Sequence, residues 1–182
     1  QSLLPFLTKL PRSLLPGRLK FIKDFSDTSK PVGAAFNNPS LISQDGMEAN
    51  TKQWRNAEIP AANGHGTARS IAKLYGILAN GGSRDGIHVL KPETIEMSRL
   101  PQSEGKDLVL GGMNTKFGLG FMLGNENISM GPNIKSFGHG GAGGSLGFCD
   151  PDNRVSLGFV MNQMHPGITA WKTATDLASS VY

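Results

Sequence analysis

Apolar positions recur at helical spacing in one stretch of the chain and at strand spacing in several others, with glycine, proline and asparagine between them. Ile71, Leu74, Tyr75 and Leu78 fall on one face of a 3.6-residue repeat, which predicts a helix. Thr67 stands where an N-cap belongs, and Asn80-Gly81-Gly82 stops the run, glycine supplying the left-handed residue at its end. A second, shorter helix is expected from Pro92, which suits a first helical position, to about Arg99. Beyond Gly111-Gly112 the period changes. Residues 117–123, 134–139, 145–149 and 155–161 are short apolar runs bounded by turn residues and read as strands. Asp150-Pro151-Asp152-Asn153 joins the last two as an antiparallel hairpin. A closing helix over 168–181 has Ile168, Trp171, Leu177, Ala178 and Val181 as its expected buried side. Residues 1–62 read as irregular, with Phe36-Asn37-Asn38-Pro39 as a turn. Helices, then an antiparallel sheet, then a helix describe an α+β domain.

Composition narrows the class. The chain has 182 residues, 38% hydrophobic and 18% charged, which suits one globular domain with a hydrophobic core. Its net charge of +4 is scattered, densest at Arg18, Lys20 and Lys23, and no basic run is interleaved with aromatics. That argues against a nucleic-acid partner. No run of 18 apolar residues exists, so no membrane span is expected, and prolines at 5, 11 and 16 exclude a long N-terminal helix or a signal peptide. Cys149 is the single cysteine, so no internal disulfide and no thiolate zinc cluster can form, and no metal or other cofactor is expected. Nothing decides the compartment. The chain opens on Gln1, not methionine, which suggests a start inside a longer protein. Its 24 glycines, about twice the average share of roughly 7%, cluster at 138–147 and mark one site.

Two segments carry chemistry. The first is Ile59-Pro60-Ala61-Ala62-Asn63-Gly64-His65-Gly66-Thr67-Ala68-Arg69-Ser70-Ile71-Ala72-Lys73-Leu74-Tyr75-Gly76, ending in Leu78-Ala79-Asn80-Gly81-Gly82. The second is Phe137-Gly138-His139-Gly140-Gly141-Ala142-Gly143-Gly144-Ser145-Leu146-Gly147-Phe148, followed by Asp150-Pro151 and the strand Leu157-Gly158-Phe159-Val160-Met161-Asn162. Together they resemble class C β-lactamases, penicillin-binding proteins and the family VIII carboxylesterases. The resemblance covers about residues 57–182, with residues 1–56 as a lead-in. It implies the C-terminal portion of a β-lactamase/transpeptidase-like fold, an antiparallel sheet flanked by helices.

In that family a serine of a Ser-x-x-Lys motif attacks the carbonyl, a tyrosine assists proton transfer, and a third motif, usually Lys-Thr-Gly, lies on an edge strand beside them. His139-Gly140-Gly141 matches the third motif, in the His-x-Gly form of esterase-like members. Imidazole at a strand end can donate a hydrogen bond to a substrate carboxylate or to the tyrosine. Gly140 and Gly141 let substrate approach the strand. The Ala142 N–H matches the family's second oxyanion donor, a kind of group worth about 3 kcal/mol in the transition state. The competing reading of His139 is a strand-end histidine satisfied by a neighbour. The G-x-G-x-x-G pattern at 138–143 is not a dinucleotide fingerprint, since a strand and turn follow it and no helix opens there.

The nucleophile is harder to find. Ser70-Ile71-Ala72-Lys73 and Ser103-Glu104-Gly105-Lys106 both fit Ser-x-x-Lys. The first falls inside a helix that family members carry downstream of their catalytic serine, so it reads as helix surface; the second reads as a glycine-containing loop. No Tyr-x-Asn exists, and both missing motifs are expected before residue 1. Asn63 is a candidate substrate contact at the site rim, or else part of a capped turn. Cys149 reads as a buried structural thiol. The expected function is a serine hydrolase acting on a small ester or amide. This chain alone is expected to be inactive and dependent on a missing N-terminal half or a partner chain. The alternatives are a catalytically silent binding or scaffold protein that keeps the fold, and a helix-rich interaction fragment, which the strand series disfavours.

Overall fold

The computed structural model describes residues 10–15, 20, 23–25, 27–37, 47–126, 128–165 and 172–182. Residues 1–65 with 107–113, and 66–106 with 114–182, form two compact units. In the first, the stretch expected to be irregular contains short helices: α1 (Pro31–Phe36), α2 (Lys52–Asn56) and single 3₁₀ turns at Arg12–Leu14 and Met47–Asn50. Pro31 opens α1 at its first position. Thr51 caps α2 by accepting from Trp54 N at 3.1 Å, and the Trp54 side chain is buried. Helices this short lack a readable period, and α2 is held by its cap and its buried Trp54. Asn38 and Pro39 of the expected turn lie outside the described residues, while Phe36 ends α1.

The second unit opens with α3 (Ala68–Ala79). Thr67 Oγ1 accepts from Ser70 N and Ser70 Oγ accepts from Thr67 N, a reciprocal capping box. Gly81 and Gly82 close the helix with φ of 75° and 87°. A two-strand hairpin follows, β1 (Ser83–Arg84) and β2 (Ile87–His88), turning through Asp85 and Gly86 at φ of 50° and 77°. Asp-Gly between two strands is a type I′ signature. Then come α4 (Pro92–Ser98) and six strands: β3 (Ser103–Asp107), β4 (Met113–Phe117), β5 (Met122–Leu123), β6 (Phe137–Gly140), β7 (Leu146–Asp150) and β8 (Val155–Phe159). They form one sheet in chain order, antiparallel from β4 to β8. The last element is α5 (Lys172–Ser179).

Three expectations need correction. The single strand over 117–123 is two, because the chain bends at 118–121 between β4 and β5. The end of α4 forces that bend: Leu119 N donates to Ser98 O, and a Cβ on Gly118 would lie 2.0 Å from the same oxygen. Strand β3 carries no signal in the sequence, because its residues are polar and mostly exposed and no apolar alternation marks it. Of the expected buried faces, Leu74 of α3 is 46% exposed, as are Leu177 at 41% and Val181 at 45%, while Ala174 and Ala178 line the buried side of α5. Ile168 and Trp171 lie outside the described residues.

Helix α3 lies across β7 and β8. It can do so because the cross-strand pair Gly147–Gly158 removes two side chains from the sheet. A Cβ on Gly158 would stand 2.3 Å from Ala68 O and 2.7 Å from Ala72 N, and one on Gly147 would meet Tyr75 at 2.5 Å. Ser156 Oγ then donates to Ala72 O at 3.0 Å. The core below this seat contains Leu78, Ala79, Ile95, Leu123, Phe137 and Cys149, with Tyr75, Leu90 and Phe121 packed on it.

Candidate active site

The glycine-rich segment is the β6–β7 hairpin. Gly138 permits the strands to close, since a Cβ there would lie 2.1 Å from Gly147 O. His139 pairs with Gly147 and Gly140 with Leu146. Although β6 sits between β5 and β7, its ladder with β5 covers only Phe137 and Gly138. His139 and Gly140 therefore run past the end of β5 as a local edge of an interior strand. His139 is exposed, and Gly140 half-buried. The His139 ring meets Gly140 O through Nδ1 at 2.5 Å and faces the Phe117 ring at 5.8 Å between centroids, tilted by 33°.

The loop joining the strands is closed by Gly141 N donating to Ser145 O and Gly144 N to Gly141 O. Gly143 and Gly144 take φ of 86° and 113°, which a side chain would resist. Ala142 is exposed in this loop, and its N–H has no acceptor among the described residues. His139, Gly140, Gly141 and Ala142 are thus brought together, with an open backbone donor beyond an accessible imidazole. Part of the glycine cluster has another task, because Gly138 and Gly147 serve strand and helix packing, not the site.

The two serine matches are arranged differently. Ser70 Oγ accepts from Thr67 N at 2.9 Å and donates to Thr67 O at 2.8 Å, so its proton and one lone pair are committed to the start of α3. Ser103 lies in β3, not in a loop, and its lysine, Lys106, is three residues on. Side chains at odd spacing leave a strand on opposite faces, so this pair does not converge.

Asn63 belongs to the first unit. Its Oδ1 accepts from Ile59 N at 3.1 Å, and its Nδ2 donates to Trp54 O at 2.8 Å and to Ala57 O. These bonds organise the loop around Asn63. Tyr75 packs edge-on to Phe121, and burial pushes its hydroxyl up to about 12. Cys149 is fully buried, and burial pushes its thiol up to about 12 as well. Among the described residues no three His, Cys, Asp or Glu side chains converge as metal ligands, and no helix is long and apolar enough to cross a membrane. No pattern along the chain points to Phe117 beside His139, since their strands are not neighbours and meet only where β5 has ended.

Comparison with known proteins adds to this geometry. The family model described as Beta-lactamase matches residues 23–179. Esterase/beta-lactamase LipL of Mycobacterium tuberculosis (strain ATCC 25618 / H37Rv) is 41% identical over 108 residues, covering 59% of this chain and 24% of that protein. A penicillin-binding protein homolog from Caulobacter crescentus superposes with a TM-score of 0.73 at 37% identity, over 83% of this chain and 39% of that one. A family VIII carboxylesterase gives 0.71 at 36% identity, over 82% and 40%. The chain thus spans about a quarter of the curated relative and about two-fifths of each solved structure. The solved structures carry the expected α+β architecture, the β-lactamase/transpeptidase-like fold.

Proposed function

Because the chain belongs to the beta-lactamase family, we propose that it supplies the His-x-Gly side of a serine hydrolase that cleaves a small ester or amide through an acyl-enzyme. The observation that carries this reading is the free end of β6, where an exposed His139 is followed, three residues on, by an Ala142 N–H that has no acceptor among the described residues. In this site Ala142 N–H holds the oxyanion of the tetrahedral intermediate. Gly140 and Gly141 leave room for the substrate chain along the strand. His139 takes part in proton transfer or holds a polar group of the substrate. The histidine in place of lysine, with the likeness to a family VIII carboxylesterase, favours esterase or peptidase-type substrates over penicillins. Ser70 is spent on a helix cap and Ser103 is turned from its lysine, which supports a nucleophile supplied by another part of the complete protein. Residues 57–182 form the motif-bearing part of the domain and 1–56 its lead-in.

In the complete hydrolase, His139→Ala should lower kcat/KM for a p-nitrophenyl ester by about tenfold to a thousandfold. Unchanged kinetics with unchanged stability would remove His139 from the site. A second reading, a silent binding protein that keeps the fold, is favoured by the commitment of Ser70 to the α3 cap. Fluorophosphonate labelling of the complete protein separates the two, since a silent protein takes no label. Loss of that label in Ser70→Ala would instead identify Ser70 as the nucleophile.

A further inference from the structure

Resting on the reading of the β6 end as a hydrolytic site, we propose that His139 is presented there as a proton acceptor through Nε2, with Phe117 as the positioning residue that keeps it so. A carbonyl oxygen only accepts. The contact of His139 Nδ1 with Gly140 O at 2.5 Å is therefore a hydrogen bond in which Nδ1 carries the proton. A neutral imidazole has one ring proton, so Nε2 is left with its lone pair. The side chain is exposed, and that lone pair is open to a substrate or a nucleophile. A lysine at this position offers only donors. The histidine, held in this tautomer, reverses the polarity of the strand end and accepts a hydrogen bond where an ammonium would donate one.

An exposed imidazole would ordinarily rotate and exchange tautomers. Here the Nδ1 edge is tied to Gly140 O and one side of the ring faces Phe117 at 5.8 Å. Phe117 is half-buried at the end of β4, where the bend at 118–121 is anchored by Leu119 N on Ser98 O. The support is thus fixed by α4 and not by the mobile reach of a surface side chain. In the reaction, the hydroxyl oxygen of the nucleophile bonds to the ester carbon while its proton passes to Nε2. The imidazolium so formed keeps Nδ1–H on Gly140 O. Nε2–H then protonates the leaving oxygen as its bond to carbon breaks, and water repeats the exchange to release the acid.

The test is long-range proton–nitrogen NMR on the complete protein, labelled with ¹⁵N-histidine, at a pH where imidazole is neutral, with His139→Gln to assign the signal. The expected spectrum has a pyrrole-type Nδ1 and a pyridine-type Nε2. In Phe117→Leu the two nitrogen shifts should converge as the Nε2–H form gains population, and Phe117→Tyr should restore the separation. If Phe117→Leu loses the native fold, Phe117→Met, closer in volume, takes its place. A wild-type His139 protonated on Nε2 overturns the proposal. So does a folded Phe117→Leu or Phe117→Met chain with the wild-type tautomer, which removes Phe117 from its role. No turnover enters these measurements. An acceptor tautomer in a protein that hydrolyses nothing sinks the hydrolase reading alone, and an Nε2–H form in an active hydrolase sinks this inference alone.

Discussion

Asp150 is fully buried, and its carboxylate accepts from Asp152 N, Asn153 N and Asn133 Nδ2 on one oxygen and from Asn153 Nδ2 and the Tyr182 hydroxyl on the other. Burial alone would raise its pKa, but the donors outweigh it and hold the carboxyl below its ordinary value. Asp150→Ala should cost about 3 kcal/mol in chemical denaturation, since several buried donors lose their acceptor. A depressed folded pKa means that this contribution is present above the ordinary Asp value of about 3.9 and is lost as pH falls through the folded value. Acid titration of wild type against Asp150→Asn should therefore differ in that window, and parallel acid limbs would contradict the assignment. Cys149, with its thiol near 12, should resist a thiol reagent in the native chain and react on unfolding. Reaction at the native rate of a free thiol would place it at the surface. The sequence identified Cys149 as buried from its apolar neighbours. It identified Asp150 only as a turn residue, because Asn133 and Tyr182 reach it from distant parts of the chain.

At the scale of elements, the contact of α3 with the sheet rests on missing side chains. Gly158→Ala places a methyl against two backbone atoms that cannot rotate away, so α3 must lift, at a cost of about 2 to 3 kcal/mol. Gly64→Ala is the control: nothing lies within 4 Å of its Cβ position. Equal transition midpoints for the two variants would mean that α3 does not sit on Gly158. Thr67→Ala should cost about 1 kcal/mol by removing half of the capping box, and Ser70→Ala a similar amount. A Ser70→Ala chain as stable as wild type would release Ser70 from the structural role given to it. The start and stop of α3 were legible because caps act within a few residues. The glycine seat was not, because it depends on which helix crosses which strands.

For the whole molecule, the distribution of apolar surface matters most. Leu74, Val160 and Met164 of the second unit are exposed at 46%, 42% and 68%, and among the described residues β8 is paired only with β7. An unpaired edge beside apolar surface promotes association. The isolated 182-residue chain should sediment as a concentration-dependent mixture, and Val160→Lys should shift it towards monomer. A sharp single monomer at all concentrations would refute this expectation. So would a Val160→Lys variant that is as associated as wild type.

By itself the sequence determined the α+β class, the limits of α3, the hairpin at Asp150–Asn153 and the segment that holds His139 and Ala142. Each of these is written in local physics: a cap, a left-handed glycine, a turn, a short apolar run bounded by turn residues. The tertiary structure decided what those residues meet. It split the run at 117–123 by bringing Ser98 O against Gly118, and it set Phe117 on the face of His139. It also left Leu74 in solvent and buried a carboxylate in the hairpin. Such outcomes depend on contacts between segments far apart in the chain, and no periodicity along the sequence encodes which backbones will touch.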